Sequence, residues 1–119
     1  MPSPTAPAMT ELTEPALDEV ASFFQALAEP NRLRLLNLLR DGEQRVGDLA
    51  EQTGLTTANV SRHLSLLQQR GLVLRESRGT SAYYRIADAG IYELCDLVCG
   101  SLARQSQVDA KKRMKLFSR

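Results

Sequence analysis

The sequence predicts a mainly helical domain that carries one small β-hairpin in its second half. Apolar residues recur at helical spacing over much of residues 16–70, and the spacing changes to near alternation over residues 72–86. The chain has 119 residues, of which 43% are hydrophobic, so it can form one domain with a modest core. We therefore expect the element order α-α-α-α-β-β-α.

The first two helices are expected before residue 41. An apolar stripe at helical spacing over residues 16–28 predicts the first helix. Pro30 follows, in the first turn of the second helix, where a proline is tolerated. Five leucines between residues 33 and 39 indicate that this second helix is buried, and Asp41-Gly42 ends it.

Two short helices joined by a tight turn are predicted next. The first covers residues 46–52 and stops at Gly54. The second is capped by Thr56 or Thr57 and ends before Gly71. A short bracing helix, a turn that contains glycine and a second amphipathic helix form the order of a helix-turn-helix DNA-binding unit.

A hairpin follows this unit directly. Residues 72–76 and 82–86 are predicted as strands, with residues 77–81 as the turn between them. A last helix begins near Asp88 or Ala89. The complete pattern predicts a winged helix-turn-helix, in which the hairpin is the wing.

The two ends of the chain differ in composition from the middle. Residues 1–15 contain four of the five prolines, which predicts a disordered N-terminal tail. Residues 16–110 are expected to form the DNA-binding and dimerisation domain, and residues 111–119 a basic C-terminal tail that frays. Neither a signal peptide nor a transmembrane helix is predicted, so we expect a cytoplasmic protein with no membrane partner.

The net charge of +1 hides an uneven distribution. Residues 1–29 carry five acids and no lysine or arginine. Residues 56–85 carry five arginines against Glu76 alone. This local excess of positive charge coincides with the predicted helix-turn-helix and wing, and a phosphate backbone would attract it.

Candidate DNA contacts lie on the second helix of the unit and on the wing. Short polar side chains and one arginine occupy the side opposite Val60, Leu64 and Leu67, and such groups contact base edges and phosphates. Arginines of the wing would reach the DNA backbone or the minor groove. The predicted DNA-binding residues are Thr56, Thr57, Asn59, Ser61, Arg62, His63, Arg75 and Arg78. A polar helix face that is merely solvated is the alternative, which the agreement of turn, hairpin and charge disfavours.

Four segments resemble the ArsR/SmtB family of transcriptional repressors. They are residues 26–36 (ALAEPNRLRLL), 60–64 (VSRHL), 71–73 (GLV) and 78–86 (RGTSAYYRI). The resemblance spans about residues 20–104. It implies a homodimer with the first and last helices at the interface. It also implies a repressor, not an enzyme, that leaves double-stranded operator DNA when an inducer binds.

Cys95 and Cys99 are the only cysteines, and they fall on one face of the last helix. Their Cβ atoms, about 6 Å apart, could direct both sulfurs at one soft ion. A disulfide needs Cβ atoms about 3.8 Å apart. The pair is predicted to bind a trivalent arsenic or antimony species (arsenite, methylarsenite or antimonite) as inducer. A reactive-sulfur or redox response of the same pair is the alternative, and inert buried thiols are another.

Two metal sites implied by the family resemblance lack their ligands here. A zinc-type site needs acid and imidazole groups along the last helix, where only Asp88 fits, since Gly90, Ser101 and Arg104 take the other positions. A second pattern places cysteines on the bracing helix, and residues 45–48 contain none. Zinc, nickel and cobalt are therefore not expected.

Two other classes of function remain for comparison. A dithiol oxidoreductase would need a cysteine of low pKa, commonly in a Cys-x-x-Cys motif of a thioredoxin-like fold, and both the spacing and the helical pattern oppose it. A winged-helix module that binds protein instead of DNA would show no salt-sensitive binding to the chain's own upstream region.

Overall fold

The computed structural model describes residues 8–105 and 110–118. It is mainly helical with a small antiparallel sheet, which confirms the predicted fold class. The elements are a 3-10 turn at Met9–Glu11, α1 Glu14–Leu27, α2 Pro30–Leu38, a 3-10 turn at Leu39–Asp41, β1 Gln44–Arg45, α3 Val46–Thr53, α4 Thr57–Gln69, β2 Val73–Arg78, β3 Ser81–Ile86, α5 Gly90–Gln105 and α6 Ala110–Phe117. Within the described ranges, no helix is long and apolar enough to span a membrane.

The chain divides into two compact units, Met1–Asp88 and Ala89–Arg119. The first unit holds α1 to α4 and the three strands, and the second holds α5 and α6. The predicted domain boundaries at residues 16 and 110 stay a prediction. Of the predicted N-terminal tail, residues 1–7 lie outside the described residues, and α1 already begins at Glu14.

Side-chain caps explain where the first two helices begin. Thr13 accepts a hydrogen bond from the backbone N–H of Ala16, so α1 starts two residues before its predicted position. The carboxylate of Glu29 accepts from the N–H of Arg32 at 3.0 Å and caps α2, with Pro30 in its first turn. These caps leave only Ala28 and Glu29 between the two helices.

The core of the first unit is apolar and is formed mainly by α2, α3, α4 and β2, whereas Ala26 is the one buried residue of α1. Leu35, Leu49, Leu64, Leu67, Val60 and Val73 are its largest fully buried side chains. Leu33, predicted as buried with the other leucines of α2, is 39% exposed. The helical period explains this difference, because Leu33 lies nearly opposite Leu35 around α2 and so falls at the edge of the buried side that Leu35 and Leu36 form.

The sheet has three strands in the order β1-β3-β2, all antiparallel. The sequence did not predict β1, because two residues are too few to show alternation. The hairpin turn is also shorter than predicted. Arg78 pairs with Ser81, so only Gly79 and Thr80 connect the strands, and Gly79 adopts φ +61°, which glycine accepts without steric cost.

The second unit differs from its prediction at the C-terminus. The sequence predicts a basic tail over residues 111–119, but the structure has helix α6 there, in contact with α5. Seven of the eight residues of Ala110–Phe117 are alanine, lysine, arginine, methionine or leucine, all strong helix formers. The segment is too short for its apolar spacing to show a helical period.

Candidate nucleic-acid interface and cysteine pair

Helix α4 has one buried side and one exposed side. Val60, Leu64 and Leu67 are fully buried, at positions i, i+4 and i+7 of the helix. This burial fixes which side chains project outward. The exposed side, called the recognition face below, consists of Thr57, Ala58, Ser61, Arg62 and Ser65.

The start of α4 is set by Thr56. Its hydroxyl accepts a hydrogen bond of 3.1 Å from the backbone N–H of Asn59, which satisfies one of the unpaired donors of the first turn. Thr56 stays exposed and Asn59 is half-buried. Gly54, in a left-handed conformation, ends α3, so the turn between the two helices has a defined geometry at both ends.

His63 lies beside the recognition face and points toward the connection between α1 and α2. Its side chain is 20% exposed. The Nδ1 atom lies 3.4 Å from Nη1 of Arg32, and the Nε2 atom lies 3.9 Å from the carboxylate of Glu29. The structure therefore gives His63 partners within the protein, in addition to the DNA contact that the sequence predicts for it.

The wing, defined as β2, β3 and their turn, directs its two predicted DNA-binding arginines to opposite sides. Arg75 pairs across the hairpin with the buried Tyr84 and donates a hydrogen bond to Ser77 at 2.9 Å. Arg78 lies three residues further along β2. Because successive side chains of a strand alternate between its faces, Arg75 and Arg78 project from different faces of the wing.

Arg78 is held by two carboxylates and one aromatic ring. Its Nη1 and Nη2 atoms donate to the two oxygens of Glu43 at 2.5 and 2.8 Å. Its Nε donates to Glu76, and its guanidinium lies 4.4 Å from the ring centroid of Tyr83. The hydrogen bond from Arg78 is the main cause that lowers the pKa of Glu43, and the same pairing raises the pKa of Arg78.

Sequence reasoning missed the role of Glu43. This residue precedes β1 and lies 35 positions from Arg78, so no local pattern connects the two. The expected excess of positive charge on the wing is consequently smaller near Arg78, where two carboxylates offset one arginine. Arg62 and Arg85 are also exposed, and the charge of Arg85 lies close enough to Glu43 to help lower the pKa of that carboxyl.

Cys95 and Cys99 both lie on α5, one helical turn apart, and neither forms a disulfide. Cys95 is half-buried and Cys99 is exposed. Among the described residues, no group of three or more histidine, cysteine or acidic side chains could hold a metal ion. A ligand on this pair would accordingly have two protein sulfurs from one chain.

Exposed apolar side chains occur on both helices that were predicted to form a dimer interface. Phe24 on α1 is 47% exposed, and its ring meets that of Phe23 edge to face at 5.9 Å. Leu97 and Val98 on α5 are 68% and 48% exposed. These two side chains of α5 therefore face solvent in the single chain.

The chain shows clear similarity to known bacterial proteins. Residues 29–74, from the cap of α2 to the start of β2, match the family described as "Bacterial regulatory protein, arsR family". The HTH-type transcriptional regulator NmtR of Mycobacterium tuberculosis is 41% identical over 93 residues, which cover 78% of this chain and 74% of that protein. A Streptomyces lividans protein named "Probable mercury resistance operon repressor" is 36% identical over 77 residues, 65% of this chain and 62% of that protein.

The fold also resembles solved structures of related proteins. The solution structure of a homodimeric winged helix-turn-helix DNA-binding domain from Mycobacterium bovis superposes with a TM-score of 0.70 at 33% identity. The superposition covers 83% of this chain and 97% of that chain.

Proposed function

Since this chain belongs to the ArsR family of winged helix-turn-helix transcriptional repressors and is not an enzyme, we propose that it leaves its operator when a trivalent metalloid binds Cys95 and Cys99. The inducer class is arsenite, methylarsenite or antimonite. The protein acts in the cytoplasm, where thiols stay reduced. The recognition face of α4 is the observation that supports DNA binding. The cysteine pair on α5 is the observation that supports the proposed inducer.

The recognition face docks in the major groove. Thr57, Ser61 and Arg62 are exposed at the N-terminal half of α4, the part of a recognition helix that meets base edges. Arginine can pair with the O6 and N7 atoms of guanine, while short hydroxyl groups contact bases or phosphates. Arg75 and Arg78 approach the backbone or minor groove from the two faces of the wing, Arg78 after leaving Glu43.

A homodimer places two recognition helices on one duplex. The apolar side chains of Phe24, Leu97 and Val98 are exposed in one chain and would be buried between two. The related domain from Mycobacterium bovis is described as homodimeric. In a two-fold dimer the half-sites are one helical turn of DNA apart, about 34 Å.

The cysteine pair suits a soft ion. Two thiolates one turn apart on a helix favour soft, thiophilic ligands over hard or borderline ones. The mercury named for the Streptomyces relative is itself a soft metal, which supports this ligand class without identifying the ion here. Methylarsenite needs two thiolates, and inorganic arsenite would complete its coordination with water or hydroxide.

Inducer binding shifts the equilibrium from protein bound to its operator toward free protein. Metalloid binding deprotonates both thiols and ties together two positions on α5. In the proposed dimer α5 lies at the interface, so this link alters the packing that holds the two recognition helices in register. A coupling of about 1–3 kcal/mol would weaken operator binding by roughly 5- to 150-fold.

The test is a titration of the reduced protein on operator DNA with arsenite, methylarsenite and antimonite. Operator affinity of the parent is expected to fall, while the Cys95→Ser and Cys99→Ser variants keep binding DNA at every metalloid concentration. Ser101→Ala, on the same helix, is the matched control and should respond like the parent. If both cysteine variants respond like the parent, the proposed sensing site is wrong.

A reactive-sulfur or redox signal through the same pair is the second candidate. The exposure of Cys99 favours it, because oxidants and polysulfides attack accessible thiols. Mass spectrometry of the induced protein separates the two: a retained arsenic or antimony adduct supports the metalloid, and a polysulfide link or a disulfide supports the alternative.

A further inference from the structure

The side chain of Arg32 connects three segments of the first unit. Its Nε donates to the backbone oxygen of Ala26 at 2.6 Å, and its Nη2 donates to the backbone oxygen of Gln25 at 3.2 Å. Both carbonyls belong to the last turn of α1, where helix carbonyls lack i+4 donors, and that of Gln25 also accepts from the backbone N–H of Ala28 at 3.1 Å. Its Nη1 lies 3.4 Å from Nδ1 of His63 on α4.

We infer that Arg32 is a positioning residue that sets the rotation of α4, and with it the recognition face, through a hydrogen bond to the unprotonated Nδ1 of His63. This inference rests on the proposed DNA-binding function. Arg32 itself is only partly exposed, and its guanidinium is engaged with α1 and His63.

The hydrogen-bond chemistry selects between the two tautomers of the neutral ring. A guanidinium has five N–H donors and no acceptor. Nδ1 of His63 must therefore accept, so the proton of the neutral ring is on Nε2. That nitrogen faces the carboxylate of Glu29 at 3.9 Å, which stabilises a hydrogen there.

Apolar packing alone would hold α4 less specifically. Val60, Leu64 and Leu67 bind α4 to the core, but the hydrophobic effect has no directional preference. A hydrogen bond weakens steeply when its angle departs from linear, so the contact between Arg32 and His63 opposes rotation of α4 about its own axis. His63 is adjacent in sequence to Arg62, and base recognition by Arg62 depends on that rotation.

Arg32, the partner of His63 in this contact, is itself held in place. Arg32 starts from the first turn of α2, where its own backbone N–H donates to the carboxylate of Glu29. Its guanidinium then occupies the C-terminal end of α1, a position at which the helix dipole favours a cation. The ring of His63 therefore meets a donor whose place is fixed by two helices.

The test compares binding to operator DNA with binding to a random duplex of equal length. Arg32→Lys keeps the charge but cannot donate from one planar fork to all three acceptors. We expect the ratio of specific to non-specific affinity to fall about tenfold, the size of one lost base contact, with non-specific affinity unchanged within about twofold. Arg34→Lys, on the exposed side of the same helix, is the matched control and should keep the parent ratio.

Variants of His63 test the acceptor directly. His63→Leu should reduce the affinity ratio as Arg32→Lys does, and the two changes combined should cost no more than either alone, because they remove one contact. His63→Asn, whose side-chain oxygen can accept near the position of Nδ1, should restore most of the ratio. Should Arg32→Lys fail to fold, the comparison of His63→Leu with His63→Asn and the tautomer of the parent ring test the contact instead.

The ring itself gives an independent measurement. His63 is the only histidine, so its imidazole nitrogens are unambiguous in a 15N NMR spectrum. We expect the Nε2–H tautomer in the parent and a mixture of tautomers in Arg32→Lys. An Nδ1–H tautomer in the parent, or an Arg32→Lys variant indistinguishable from Arg34→Lys, would overturn the inference.

Two further outcomes have distinct meanings. Equal losses of specific and non-specific affinity in Arg32→Lys would make Arg32 a phosphate contact and contradict a positioning role. If the parent itself shows no salt-sensitive operator binding, the proposed function fails, and the NMR measurement still decides whether Arg32 selects the tautomer of His63.

Discussion

The arginine nearest the turn of the wing has partners within the protein before any DNA arrives. Arg78 makes a paired contact with both oxygens of Glu43 and a third with Glu76. All three side chains are partly or largely exposed, so each contact is screened by water and contributes little to stability. To reach a phosphate, Arg78 must exchange Glu43 for the DNA.

This exchange predicts that Glu43 weakens DNA binding. Glu43→Gln removes a negative charge and the competing partner of Arg78, so operator affinity should rise about two- to fivefold, the size of one exposed ion pair. The slope of log affinity against log salt should steepen by about one phosphate contact. Fluorescence anisotropy at several salt concentrations measures both.

Glu51→Gln, which removes an exposed acid of the neighbouring helix α3, is the control for net charge. An equal gain from both variants would show that Arg78 does not exchange its partner on binding.

The same pair predicts a pH dependence. The hydrogen bond from Arg78 lowers the pKa of Glu43 below its ordinary value of 4.5. The carboxylate is thus favoured in the folded state, and its contribution is complete above the ordinary pKa and is lost as the pH falls through the lowered one. The melting temperature of the parent should exceed that of Glu43→Gln at neutral pH, and the gap should close in acid. A gap that stays constant from about pH 7 to about pH 3 would contradict the pairing.

The orientation of α4 depends on the residues that fix its first turn. Thr56 supplies the cap, and the left-handed Gly54 ends the helix before it. Together they place the first turn of α4, which carries Thr57 and precedes Ser61 and Arg62. The recognition face is therefore oriented by a local cap as well as by burial of its opposite side.

Loss of this cap has a measurable cost. Thr56→Ala should lower the free energy of unfolding by about 1 kcal/mol, because the N–H of Asn59 loses its acceptor, whereas Thr56→Ser should retain the cap. Urea denaturation followed by circular dichroism measures the difference. Thr57→Ala is the matched control, since the adjacent hydroxyl does not cap the helix, and a loss as large as that of Thr56→Ala would show that the cap is not responsible.

At the scale of the whole molecule, the proposed dimer determines whether DNA is bound tightly. One winged helix reads only half of a two-fold operator, so both affinity and spacing depend on the partner. The strongly exposed Leu97 on α5 is the position at which this proposal is most easily disrupted.

Leu97→Glu should convert the protein to a monomer, because a buried carboxylate without a partner is costly at an apolar interface. Operator affinity should then fall by at least about tenfold, as one half-site is lost. Sedimentation equilibrium gives the mass and anisotropy gives the affinity. Leu116→Glu places the same charge at an equally exposed leucine of α6 and should leave the mass unchanged. A Leu97→Glu protein that keeps the dimer mass would exclude this side of α5 from the interface.

Several features of the fold follow from short stretches of sequence. The helical spacing of Val60, Leu64 and Leu67 predicts both α4 and its buried side, and the change of period after Gly71 predicts the wing. Leu33 and β1 were missed for local reasons as well, since one apolar run does not show which leucine faces outward and two residues do not show alternation. The similarity to ArsR-family proteins agrees with the predicted class.

The amino-acid pattern alone determined the order of helices and strands, the exposed side of α4 and the placement of both cysteines on one helix. Each of these depends on residues a few positions apart, whose relation is set by the helix or strand period. Only the tertiary structure decided that His63 meets Arg32 and that Arg78 meets Glu43. These partners are 31 and 35 positions apart, and chain folding, not any local repeat, brings such groups within hydrogen-bonding distance.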